Sequence, residues 1–185
     1  MTAEYSGASS YGLDLSQNTW LTDLFDLAGL DTAKLPRIVK STDLVGTIIE
    51  NAAAELGLSR GTPVFGGCDD VQAAALGSCC HHEGDAHIYL GSSAWLCVTS
   101  RKCVDGMEGV VTIKSADPSM NVVLGVMQAA GLTFNKAADL FYCHGLPADA
   151  DIYALIDKEI LSTPPGAENL LCMPWIYGEY SPIKS

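Results

Sequence analysis

The sequence predicts an α/β fold, and three observations carry that reading. Short runs of alternating apolar and polar residues, bounded by turn formers, occur at residues 86–90, 94–100, 110–114 and 121–127, the period-two signature of strands. Longer segments at 48–56, 131–143 and 149–161 repeat their apolar residues at helical spacing. A hydrophobic content of 48% over 185 residues is enough to bury a core in one large or two small domains.

Taken in order, residues 1–10 are small and polar, and residues 11–15 alternate as a short strand. Asn18 or Thr19 can cap a helix whose Trp20, Leu21, Leu24, Phe25 and Ala28 form one apolar stripe ending at Gly29, expected in the core. Leu35-Pro36 ends any helix, and residues 37–45 run extended towards Gly46. In the helix at 48–56, Ala52, Ala53 and Leu56 form the packing face and Gly57 the stop.

Residues 62–65 read as a short buried strand entered through Pro63, after which Gly66 and Gly67 allow a sharp turn where a side chain would obstruct. Asp69 and Asp70 follow at the start of a small-residue helix, 71–76, that Gly77 can stop. Residues 79–85 are polar and irregular, and a domain boundary is expected there.

Beyond it, the strands 86–90 and 94–100 are joined by Gly91-Ser92-Ser93. With 110–114 and 121–127 they should form one sheet, the turns falling at Asp105-Gly106 and Asp117-Pro118. In the helix 131–143 the inward residues are Phe134, Ala137, Ala138 and Phe141; in 149–161 they are Ile152, Leu155, Ile156 and Ile160. Pro164-Pro165 ends that helix, and residues 170–175 form a last apolar strand. There is no repeat of the usual lengths and no low-complexity tract.

A formal charge of −12, from 22 acidic and 10 basic side chains, argues against a nucleic-acid or anionic-membrane surface, so any phosphate binding must be local, through backbone donors and a divalent cation. Seven irregularly spaced cysteines fit a reducing compartment without disulfides. The first ten residues lack the basic and apolar regions of a secretory signal, no run is long enough to span a bilayer, and the cytoplasm is the expected location.

Five groups of residues are of types that could carry chemistry. Asp69 and Asp70 stand where a strand hands over to a helix N-terminus, a position that suits a catalytic carboxylate and equally an acid that merely favours the dipole. Gly91, Ser92 and Ser93 make a turn with uncovered amide and hydroxyl donors, suited to phosphate or to nothing beyond a hairpin. Gly131 and Asn135 lie one turn apart at a helix start, facing one end of a cleft or serving only as helix-start residues. Cys79-Cys80-His81-His82 holds zinc-type ligands, but four adjacent residues cannot all turn to one tetrahedral ion, so no metal site is assigned; Cys143 and His144 have no third partner and are read as structural.

At the block GTPVFGGCDDVQAAALG, residues 61–77, at the Gly91-Ser92-Ser93 turn and at PWIYGEYSP near the end, the chain resembles the FGGY family of carbohydrate kinases, most closely its xylulose kinase branch, and the resemblance extends over almost the whole chain. It implies an α/β fold of the actin-like, RNase H-like kind in two incomplete lobes. The end of the sugar-binding N-terminal domain would be residues 1–80, and the beginning of the nucleotide-binding C-terminal domain residues 84–185.

It implies ATP and Mg2+ as cofactors, and phosphorylation of a ketose, D-xylulose before ribulose, glycerol or gluconate. The family's catalytic aspartate stands seven residues before the glycine closing its helix, which selects Asp70 before Gly77 as the base and as a contact to the acceptor hydroxyl. Asp69 then becomes a neighbour or cap. Gly91, Ser92 and Ser93 match the family's phosphate turn, with Ser92 for the more usual Thr. Gly131 and Asn135 match its nucleotide-side helix start, with Asn135 where Gln is frequent. Trp175, Tyr177 and Glu179 match a signature that shapes the domain interface, and Tyr180 replaces a frequent Arg.

The family's N-terminal phosphate hairpin, its metal-associated aspartate and its C-terminal adenosine segment have no counterpart here. The resemblance therefore makes this chain the middle of a longer kinase, inactive alone, its partners a sugar and ATP, with a homodimer allowed. The rival expectation is a non-catalytic actin-like module that binds a nucleotide or a partner. A hydrolase using the Asp69 and Asp70 pair is disfavoured because neighbouring side chains diverge.

Overall fold

The computed structural model describes residues 1–104, 106–142, 144, 146, 147 and 149–181. In chain order the elements are β1 (Thr2–Glu4), α1 (Tyr5–Ser9), β2 (Leu13–Asp14), β3 (Thr19–Trp20), α2 (Thr22–Leu27), β4 (Arg37–Val39), β5 (Leu44–Thr47), α3 (Glu50–Leu56), β6 (Pro63–Phe65) and α4 (Asp70–Gly77). There follow β7 (Ala86–Leu90), β8 (Ala94–Ser100), β9 (Val110–Lys114), β10 (Asn121–Met127), α5 (Gly131–Tyr142) and α6 (Ile152–Ser162), with single 3-10 turns at Thr32–Lys34 and Ala167–Asn169.

β1 pairs with β4 in parallel, Ala3 opposite Ile38. β2 and β3 form an antiparallel hairpin, and β5 and β6 an antiparallel ribbon whose register shifts between Leu44 and Gly46. The four strands predicted for one sheet make one, in the order β7-β8-β10-β9. The chain divides into two compact units: Met1–His87 with Cys97–Leu124, and Ile88–Leu96 with the described residues from Gly125 onward.

In the first unit, Ala8, Leu13, Val39, Ile113 and Val122 are buried. α1 packs on β9, where Ser9 Oγ accepts from the Lys114 amide at 3.1 Å. From α4, the fully buried Gln72 donates through Nε2 to the Lys114 carbonyl at 2.8 Å. Two helices are thus held on one strand residue, and the Gln72 bond is made out of water, where a missing partner would be expensive. α3 stops as the sequence predicts: Gly57 takes a left-handed φ of 67° and returns its N–H to Ala53. In the second unit Ala129, Ala138 and Ile156 are buried, and Phe134 of α5 stacks on Tyr153 of α6 with ring centroids 5.9 Å apart.

The structure corrects several expectations about packing. α2 has no buried residue and no side-chain cap, and Leu24 is exposed, so its stripe is not core. Trp20 belongs instead to β3, donates its indole N–H to the Pro36 carbonyl at 2.8 Å and meets Phe25 edge to face. β6 is not a buried strand: it pairs only with β5, and Phe65 is exposed. Residues 11–15 contribute only the two-residue β2.

In α5, Phe141 is 78% exposed and Ala138 is the buried residue; in α6, Ile156 is buried while Leu155 and Ile160 are exposed. Residues 170–175 are not a strand. Leu170 and Leu171 are exposed, Pro174 has no amide to donate, and the nearest ladder feature is an isolated bridge between Ile176 and Gly178. The expected turn at Asp105 and the helix end at Cys143 fall outside the described residues. No helix among the described residues is long and apolar enough to cross a membrane.

Candidate functional site

In the first unit the site is built on the turn between β6 and α4. Gly66 donates its N–H to the Asp43 carbonyl at 3.1 Å, and Gly67, at a φ of +73°, donates to the Ser41 carbonyl at 3.0 Å. A Cβ on Gly66 would stand 2.3 Å from the Lys40 carbonyl oxygen, so the approach that sequence reasoning required of a glycine is present. Asp69 is the N-cap of α4, and its carboxylate accepts the Asp70 N–H at 2.9 Å. Asp70 is the first residue of the helix, and it is exposed.

The turn is tied from behind by a buried polar chain that sequence reasoning missed. The Asp69 amide donates to Ser6 Oγ at 3.0 Å, and the Ser6 hydroxyl donates to the carboxylate of Glu4. The same carboxylate accepts the Ser6 amide at 2.8 Å and the Ser41 hydroxyl at 2.9 Å. Glu4 and Ser6 are both buried. An acceptor-only carboxylate, a hydroxyl that gives one proton and takes another, and a backbone donor match without remainder. The legible signal was an acid followed two residues later by serine, a local capping pattern; its reach to position 69 was not legible.

Glu4, Gly7, Tyr11, Gly66, Cys68 and Asp69 line a cleft of about 280 Å³. Asp69, not Asp70, stands on its wall together with Glu4. Burial first, and then the carboxylates of Glu4 and Asp69, push the Cys68 thiol up, away from the thiolate form.

In the second unit three of the predicted residues come together. Gly131 donates its amide to the Gly91 carbonyl at 2.9 Å, and Ala130 and Leu132 donate theirs to the Ser92 carbonyl at 2.9 and 3.2 Å. A Cβ on Gly131 would lie 2.6 Å from Gly91 O, and one on Gly91 would lie 2.8 Å from the Tyr89 ring, which stacks on Trp95 at 3.9 Å. The turn carbonyls therefore occupy the first N–H groups of α5. Ser92 is exposed at the apex and Ser93 half-buried beside it. An anion there would meet the serine hydroxyls before the helix end. Asn135 is exposed one turn on, and its side-chain oxygen accepts from the Tyr153 hydroxyl at 3.2 Å.

Behind α5, the Thr133 hydroxyl lies 2.9 Å from the Pro174 carbonyl, and the buried Glu179 accepts from the amides of Gln128 and Tyr180 at 3.1 and 2.7 Å.

Residues 1–77 match the sequence profile of the FGGY family of carbohydrate kinases, N-terminal domain. Over these residues the chain is similar to the FGGY family. The match takes in both the Glu4-Ser6 anchor and the whole of α4. Beyond it, the chain is 29% identical over 170 residues to a xylulose kinase of Lactococcus lactis subsp. lactis (strain IL1403), covering 92% of this chain and 33% of that protein. It is 29% identical over 202 residues to an autoinducer-2 kinase of Yersinia pestis bv. Antiqua (strain Angola), covering 100% of this chain and 36% of that one.

Among solved structures, a xylulose kinase from Rhodospirillum rubrum superposes with a TM-score of 0.86 at 27% identity, over 100% of this chain and 37% of that one. The actin-like α/β fold expected from the sequence is the fold of these FGGY structures. The chain spans about a third of the length of the curated relatives it matches.

Proposed function

We propose that this FGGY chain carries the catalytic base and the phosphate turn of an ATP-dependent kinase acting on a small sugar or sugar-like alcohol. The observation that supports it most is the placement of Asp70: an exposed carboxylate, first in its helix, on a turn held by a buried Glu4-Ser6 anchor and next in sequence to the Asp69 that lines a cleft. In this reading Asp70 accepts the proton of the acceptor hydroxyl as that oxygen bonds to the terminal phosphorus of ATP and the bond to ADP breaks. Residues 1–80 belong to the sugar-side domain and residues 84–185 to the nucleotide-side domain.

Gly91, Ser92, Ser93 and Gly131 hold phosphate, the exposed Ser92 hydroxyl serving as donor, and Asn135 reaches the nucleotide after leaving Tyr153. Mg2+ would neutralise charge between the phosphates; no carboxylate described here is assigned to it, and it would arrive on ATP. D-xylulose, giving xylulose 5-phosphate, is the first candidate acceptor. The autoinducer-2 kinase named above, at the same 29% identity, makes autoinducer-2 the second.

The 185 residues alone should give no sugar-dependent ATP turnover, and turnover above a blank would overturn that. In a gene product as long as the relatives, a panel of D-xylulose, ribulose, glycerol, gluconate and autoinducer-2 identifies the acceptor. Asp70→Asn should lower kcat about 100-fold or more with ATP binding kept. Unchanged turnover would assign the base elsewhere, with Asp69→Asn the next variant because Asp69 lines the cleft. A binding module, the rival reading, would bind nucleotide and turn over nothing with any member of the panel.

A further inference from the structure

We propose that His81, His82 and Asp85 form a binding site for one divalent transition-metal ion of the zinc class. The sequence argument against metal here concerned Cys79-Cys80-His81-His82, and Cys80 does turn elsewhere: it is buried with its Sγ towards the Ser78 carbonyl. Asp85 joins the two histidines instead. One donor atom from each of His81, His82 and Asp85 lies within 4.8 Å of the others. The two imidazole rings, which adjacent residues commonly splay apart, have centroids 4.1 Å apart at 41°, and His82 Nδ1 stands 3.4 Å from an Asp85 oxygen. Donors about 2.0–2.2 Å from one ion lie roughly 3–4 Å apart, a closure that small side-chain rotations of exposed residues supply.

The loop is set before any ion arrives. The carboxylate of Asp85 accepts the His82 and His81 amides at 2.8 and 3.1 Å. Both ends of the loop are tied to one residue of β8: Thr99 Oγ1 donates to Cys80 O, its amide to Asp85 O, and its carbonyl accepts from Gly84. Two imidazoles and one carboxylate with open positions suit zinc, cobalt or nickel; magnesium and calcium prefer all-oxygen shells. Solvent exposure leaves room for water as the remaining ligands.

The test titrates Co2+, and then Zn2+, into the 185-residue chain, followed by calorimetry and by the visible cobalt spectrum. The expected result is one equivalent bound, without a thiolate charge-transfer band. His81→Ala and His82→Ala should each weaken binding about tenfold or more. Asp85→Asn, which keeps an oxygen for the two backbone amides, should weaken it with the thermal melt of the apo chain unchanged, and Cys79→Ser should leave binding as it was. Absence of saturable binding, binding indifferent to both histidine variants, or binding lost with Cys79→Ser would each overturn the assignment. None of these outcomes depends on whether Asp70 is a catalytic base.

Discussion

Gly66→Ala isolates the close approach on which the carboxylate turn is built. Gly66 is outside the left-handed region, so alanine meets no backbone penalty there, and the substitution is purely steric. The added Cβ would sit 2.3 Å from the Lys40 carbonyl oxygen, whereas real Cβ contacts essentially never fall below 3.0 Å, and the obstacle is backbone, which cannot rotate away. Separating the two strips of chain stretches the Gly66-to-Asp43 and Gly67-to-Ser41 bonds, now 3.1 and 3.0 Å. Overpacking of this kind costs about 1–3 kcal/mol and each weakened bond about 1 kcal/mol, against about 0.4–1 kcal/mol returned by the stiffer unfolded chain.

A net loss of about 2 kcal/mol at the least lowers the melting temperature of a chain this size by roughly 4–8 °C or more. Thermal melts of the purified chain measure it. Gly46→Ala, at an ordinary φ with nothing within 4 Å, is the matched control and should melt at or above the parent. A Gly66→Ala chain melting within about 1 °C of the parent would refute the reasoning, because the two backbones could not then be in the contact described.

Ser6→Ala removes both the donor to the buried Glu4 carboxylate and the acceptor of the Asp69 amide; a loss of about 1–3 kcal/mol is expected in urea unfolding, and no loss would mean that the anchor is not formed. Cys97, buried and with its thiol pushed up to about 11 mainly by that burial, should resist alkylation of the native chain at about pH 8 while the exposed Cys79 and Cys172 react, read by peptide mass mapping. Because the folded state keeps this proton while the unfolded thiol, near 9.0, releases it, the stability it contributes is present below pH 9 and is lost as pH rises towards 11. Labelling of Cys97 as fast as Cys172 would contradict its burial.

Local features were legible because they depend on neighbours in sequence. Period-two alternation located β7, β8, β9 and β10 to the residue, and Gly57 and Gly77 marked the ends of α3 and α4. The demand for glycine at 66 followed from a strand that must turn at once into a helix, the Gly91 turn was read from its small residues, and Gly131 was read as a helix start after a strand. What alternation and helical spacing could not say was which apolar faces would find cover. Leu24 in α2, Phe65 in β6 and Phe141 in α5 follow the patterns of buried residues and are exposed, because burial depends on a second surface that the local pattern does not specify.

The same holds for the polar contacts. Glu4 and Asp69 are 65 positions apart, and a serine hydroxyl joins them only because β1 lies parallel to β4 and the connection after β4 passes beneath Gly66. Residue types and turns come from short-range sterics written along the chain, whereas the partners of Glu4, Ser6, Gly91 and Asp85 come from closing loops that only packing can close.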